Sequence, residues 1–136
     1  MKTVFDPATT EELIQRINAV TPQHSAQWGK MNASQMLNHC MLCDKMFHGE
    51  IKINRVFMGR LFGKMVKNSI LKGDKQFGKN APTSPVLSTA ANTEDMEQQK
   101  KAWIDKIRQY QQFNNFNFVH PFFGPMTKEE VGIFAY

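Results

Sequence analysis

At 136 residues, with 41% hydrophobic and 21% charged side chains, the chain can bury one apolar core; a disordered tail is excluded and a single domain over residues 1–136 is expected. No run approaches the roughly 20 apolar residues of a membrane helix, and the opening Met1-Lys2-Thr3-Val4-Phe5-Asp6-Pro7 lacks an apolar signal core, so a cytoplasmic home is expected. The formal net charge of +5 is uneven: residues 51–80 hold Lys52, Arg55, Arg60, Lys64, Lys67, Lys72, Lys75 and Lys79 against Asp74 alone.

Apolar residues recur at helical intervals along most of the chain. Leu13, Ile14, Ile17 and Val20 predict a helix over 9–20, started by Asp6-Pro7 and the threonines at 9 and 10 and ended by Thr21-Pro22. A connecting segment follows through Trp28-Gly29-Lys30 and includes His24, which is expected in solvent. Asn32 with Gln35 three residues on resembles a capping box and predicts a second helix that continues to His48 and stops at Gly49. Met36, Cys40, Cys43 and Phe47 share one of its faces, with His39 and Met46 at the edge and Asn38 and Lys45 pointing away. Cys40 and Cys43 read as two small apolar residues on that face. A thioredoxin-like use wants a βαβ context and a zinc knuckle wants a second cysteine pair, and the sequence has neither. His48 is expected to complement the helix dipole as a cation.

A third helix is predicted over 54–71. Arg60, Lys64 and Lys67 recur at i, i+4, i+7 as one stripe, opposite Met58, Leu61, Phe62, Met65, Val66 and Ile70. That is the pattern of an amphipathic helix with a solvated basic face. No zinc finger or RNP aromatics accompany it, so nucleic acid is the least expected partner. Gly59 and Gly63 allow a neighbour to approach closely. Residues 72–91, with Gly73, Gly78, Pro82 and Pro85, predict a long loop, a kind of element that is often functional. A fourth helix starts near Asn92-Thr93, carries a buried stripe of Met96, Trp103, Ile107 and Tyr110, turns Glu97, Asp105 and Arg108 away, and ends around Phe113. Six of the eleven phenylalanines fall at or after Phe113, so the Asn-rich passage that follows is expected to be packed. Thr127-Lys128-Glu129-Glu130 is a capping box that opens a fifth helix, expected to be cut short at Tyr136. No strand or repeat is evident, and the expected fold class is all-α, most simply a four-helix bundle.

The sequence has no Gly-rich phosphate loop, nucleophile elbow, H-E-x-x-H or paired carboxylates, and its serines lack identifiable His and acid partners. From spacing alone His39 reads as a hydrogen-bonded core residue more readily than as a ligand, since a metal site needs three or more converging donors. Asp44, five residues on, is displaced by about 140° around the helix and makes no easy local pair with it.

Trp28-Gly29-Lys30-Met31 followed by Ser34-Gln35-Met36-Leu37-Asn38-His39, and later His120-Pro121-Phe122-Phe123-Gly124-Pro125-Met126-Thr127, resembles the DinB/YfiT-like superfamily of metalloenzymes, within a branch known mainly as a domain of unknown function. The resemblance follows the order of helices along essentially the whole chain. It implies a four-helix bundle with a divalent metal, Zn or Ni, on three histidines. One maps onto His39; the other two are a pair on the last helix, expected beyond Tyr136 because no histidine follows His120. Trp28, Cys43 and His120 are candidate pocket residues, His120 chiefly as one that orders its loop. Relatives include transferases that use low-molecular-weight thiols, so a thiol or other small molecule is the implied substrate. A small bundle with an aromatic-rich end would, separately, suit a homodimer. The alternative is a non-catalytic dimerisation or binding module with an incomplete metal site.

Overall fold

Asp6 starts α1 (Pro7–Asn18): its carboxylate accepts from the backbone N–H of Ala8 and Thr9 and from the Thr9 hydroxyl at 2.6 Å, with Pro7 at the first helical position. This computed structural model describes residues 1–73, 78–79, 81–88 and 95–136. The helix begins and ends two residues before the expected bounds. The aspartate is the cap, and the Thr10 hydroxyl instead turns inward to donate to the Val4 carbonyl. At the other end the Lys100 ammonium donates to the free Asn18 carbonyl at 3.1 Å, as a cation at a helix C-terminus should.

The second helix, α2 (Ala33–Phe47), has the predicted capping box. Asn32 Oδ1 accepts from Gln35 N and Gln35 Oε1 accepts from Asn32 N, both at 2.9 Å. It stops at Gly49, whose φ of +82° is the left-handed conformation that glycine adopts without a Cβ clash. Asn115 Nδ2 donates to the Phe47 carbonyl there at 2.8 Å.

The core lies where α4 (Met96–Arg108) packs on α2 and α1, bringing Trp103, Ile104 and Ile107 against Leu37, Met46, Ile14 and Ile17. A tight 3-10 turn, Gln109–Gln112, continues α4 and buries Tyr110, so the regular helix ends short of Phe113. The expected start at Asn92, Thr93 and Glu94 lies outside the described residues, as does part of the predicted long loop. The short helix α5 (Lys128–Ala135) carries the predicted Thr127–Glu130 capping box. It is anchored by buried Val131 and by Val4 N–H donating to the Gly132 carbonyl at 3.1 Å.

A two-strand hairpin, β1 (Val119–His120) and β2 (Gly124–Pro125), was not expected. It pairs antiparallel, Val119 opposite Pro125 and His120 opposite Gly124. Two-residue strands leave no alternating pattern to read, and the turn is instead held by a side chain described below. Helices still make up 56% of the described residues, so the fold class is all-α.

The helix α3 (Phe57–Leu71) settles on this hairpin with the expected faces partly exchanged. Gly59 and Gly63 abut the Phe122 backbone so closely that a Cβ on Gly63 would stand 1.9 Å from the Phe122 carbonyl oxygen. That contact buries Gly59, Gly63, Lys67 and Ile70, and turns Phe57, Met58, Leu61, Phe62 and Met65 outward. Arg60 and Lys64 are exposed as predicted, but the Lys67 ammonium is inside, donating to the Pro125 carbonyl and to Glu130 at 2.8 Å each. No helix among the described residues is long and apolar enough to cross a membrane.

Candidate functional site

His39 sits in the middle of α2, half-buried, opposite a short 3-10 turn, Pro85–Leu87. Pro85 presets the turn, Leu87 plugs into the core, and the Leu87 carbonyl is thereby aimed at the imidazole. His39 Nδ1 donates to that carbonyl at 2.8 Å. A carbonyl can only accept, so Nδ1 carries a hydrogen, and in the neutral imidazole Nε2 is then the nitrogen with the lone pair. One turn along the helix, the Cys43 Sγ stands 3.6 Å from Nε2. Cys40 turns toward Met36, with 3.8 Å between the two sulfurs. Both cysteines are free thiols, in keeping with the apolar reading. Burial pushes both thiols up, Cys43 to about 12 with the Asp44 charge adding to the effect.

Asp44 is the group that sequence reasoning missed. It is buried between α2 and α4, where Oδ2 accepts from Trp103 Nε1 and Oδ1 from the Tyr110 hydroxyl, both at 2.6 Å. Burial pushes its carboxyl up to about 6, against the pull of those two donors and of Lys106. The signal was present in α4: Trp103 and Tyr110, seven residues apart on one buried stripe, both carry donors that need an acceptor.

The other histidines do separate things. His120 Nδ1 accepts from the backbone N–H of Phe122 and Phe123, at 3.1 and 3.2 Å, and so holds the hairpin turn. Its proton is on Nε2, and burial, helped by the Arg55 charge, lowers its pKa to about 4. It is a loop-ordering residue. His48 does not act as the expected dipole-complementing cation: its ring lies 4.5 Å from that of Tyr110, and burial and the Lys106 charge favour the neutral form. His24 is exposed, its Nδ1 accepting from Thr21 N at 2.9 Å.

Of the three candidate pocket residues, Trp28 alone lines the cavity described next. Trp28 is 56% exposed and lines an open cavity of about 890 Å³, with Lys79 Nζ 5.4 Å from its ring centroid. His39, Cys43 and His120 lie outside that cavity's walls. Among the described residues no group of three or more His, Cys, Asp or Glu side chains is placed to hold a metal ion. No family model, curated protein or solved structure matches the chain.

Proposed function

We propose that the chain is a DinB/YfiT-like four-helix bundle that holds a divalent metal, Zn or Ni, with His39 as one ligand, and that it catalyses addition of a low-molecular-weight thiol, as its thiolate, to a small electrophile, the thiol proton passing to solvent. The observation that carries the reading is the His39–Leu87 hydrogen bond. Histidines that ligate metals usually donate their second ring N–H to a carbonyl or carboxylate, which fixes the tautomer and aims the free nitrogen at the ion. His39 is held in that way. On this reading the remaining ligands come from outside the described residues. When bound, the metal supplies the positive charge that lowers a thiol's pKa. This chain's own part is to fix the imidazole through Leu87 and to keep its Nε2 in a half-buried setting. The free Cys40 and Cys43 suit a reducing, cytoplasmic compartment.

Native mass spectrometry of the full-length protein, before and after a chelator, tests the proposal. One divalent ion lost on chelation, and absent from His39→Ala, is the expected result. Full-length protein that carries no such ion after metal loading, or His39→Ala that binds it equally well, overturns the reading.

A second reading, a dimerising or binding module, is favoured by the outward face of α3. Phe57, Met58, Leu61, Phe62 and Met65 form a contiguous apolar stripe at helical spacing, with Phe57 72% and Met65 64% exposed. A second copy of this chain is the occupant this reading names. Light scattering over a range of concentrations should show a dimer that Leu61→Glu converts to monomer; a wild-type monomer throughout would count against it.

A further inference from the structure

The metal proposal leaves Cys43 without a role, yet its sulfur lies 3.6 Å from His39 Nε2. We infer that His39 Nε2 and Cys43 Sγ, one helical turn apart on α2, supply two of the three or more donors for a thiophilic divalent ion, the rest coming from outside the described residues. This rests on the metal-binding reading above and changes the donor set from histidine alone to nitrogen plus sulfur.

The argument is geometric. In tetrahedral zinc sites the Zn–N bond is about 2.0–2.1 Å and the Zn–S bond about 2.3 Å, so neighbouring N and S donors lie roughly 3.5 Å apart. The observed separation is 3.6 Å, reached with the imidazole already fixed by Leu87 O at its other nitrogen. An ion can join the two atoms without the pair moving apart. The i, i+4 spacing does the rest, because it places both side chains on one face of a helix whose backbone is fixed by a capping box and by the core.

The alternative use of a Cys–His pair is nucleophilic, with the imidazole as base. That use needs an open approach to the sulfur, whereas Cys43 is partly buried and packed against the core. A metal ion bound by the pair would displace the thiol proton, which passes to solvent, and compensate the thiolate's charge in place. Thiolate–imidazole sites prefer zinc-like and softer ions over magnesium or calcium. Cys40 takes no part, since its sulfur is turned to Met36.

Cobalt(II) is the probe, because a coordinated thiolate gives it an intense near-ultraviolet charge-transfer band that histidine ligation does not. Full-length protein loaded with Co²⁺ should show the band, Cys40→Ser should keep it, and Cys43→Ser should lose it with weaker binding on the order of tenfold or more, the scale on which such outer or added donors act. Iodoacetamide labelling gives the same answer without a variant: one equivalent of Zn²⁺ should protect Cys43 in the wild-type protein. Cobalt bound without the band, a band that survives Cys43→Ser, or Cys43 labelled at an unchanged rate overturns this inference and leaves His39 as a ligand in place. No cobalt or zinc bound at all overturns both.

Discussion

The Asp44 carboxylate on α2 and the Tyr110 hydroxyl just past α4 meet at 2.6 Å in the core, and Trp103 supplies a matching donor to the other carboxylate oxygen. A carboxylate enclosed in this way joins the two helices by satisfying two buried donors that would otherwise be orphaned. Asp44→Ala removes both bonds together. Each donor left unsatisfied costs about 1–3 kcal/mol, so the variant should lose on the order of 3 kcal/mol or more, while Tyr110→Phe, which deletes one donor and leaves Trp103 in place, should lose about 1–3 kcal/mol. Urea unfolding monitored by tryptophan fluorescence measures both, and equal losses would show that the two donors do not share the carboxylate energetically.

Gly63 and the Phe122 carbonyl give a second test. In an exposed helix Gly→Ala is stabilising by roughly 1 kcal/mol. Here the added Cβ would sit 1.9 Å from the carbonyl oxygen, so the sign should reverse. Overpacking typically costs about 1–3 kcal/mol, and Gly63→Ala should fall in that range, with α3 lifting from the hairpin. Gly78→Ala, with nothing among the described residues within 4 Å of the added atom, should be close to neutral. A stabilised Gly63→Ala would mean that α3 does not rest on Phe122.

The contrast between these sites and the helix caps shows what a single sequence reveals. Asn32 with Gln35, and Thr127 with Glu130, are local patterns whose partners lie three residues away, and both formed as read. The seating of α3 depends on Phe122, some sixty residues on, and follows from backbone approach at two glycines rather than from apolar area. Periodicity weighs side chains, so it put the Met–Phe face inside and left Lys67 in water. At the candidate site His39 drew attention through the motif that carries the resemblance. The Leu87 carbonyl that fixes it was not, since any residue can supply a carbonyl and the turn that aims it is 48 residues away. Of Trp28, Cys43 and His120, only Trp28 lines the open cavity, and residues this far apart in sequence carry no local signal of which cavity each will meet.

Acid sensitivity should be traceable to His120. Its folded pKa of about 4 lies below the ordinary 6.5, so the unfolded chain takes up the proton first. The ring's contribution to stability is therefore complete above pH 6.5 and is lost as the pH falls toward 4. Asp44 acts with the opposite sign. Its carboxyl is raised from 3.8 to about 6, so it favours the folded state most below 3.8 and progressively less as the pH rises to 6. The two partly cancel in the wild-type profile, and a variant is needed to separate them. His120→Asn keeps an acceptor for the Phe122 and Phe123 N–H groups and removes the titrating ring. Between pH 7 and 4.5 it should lose less stability than wild type, by about 2 kcal/mol. Parallel profiles would place the acid-labile group elsewhere.

Lys67 ties three elements at one atom: its ammonium reaches the Pro125 carbonyl on β2 and Glu130 on α5 from the inner face of α3. Lys67→Met keeps the apolar stem and deletes those bonds. Glu130 retains its capping role toward Thr127 N and its side chain is 20% exposed, so water can take over part of the lost interaction. The cost should be about 1–3 kcal/mol rather than that of a fully buried pair. A cycle with Glu130→Gln should show coupling of roughly 1 kcal/mol, since the side chains are in direct contact. The loss should also be local. Because α3 rests chiefly on the hairpin, its amides should lose hydrogen-exchange protection in Lys67→Met while those of α4, held by α1 and α2, change little. If both helices lose protection together, Lys67 acts on the whole domain and not on the seating of α3.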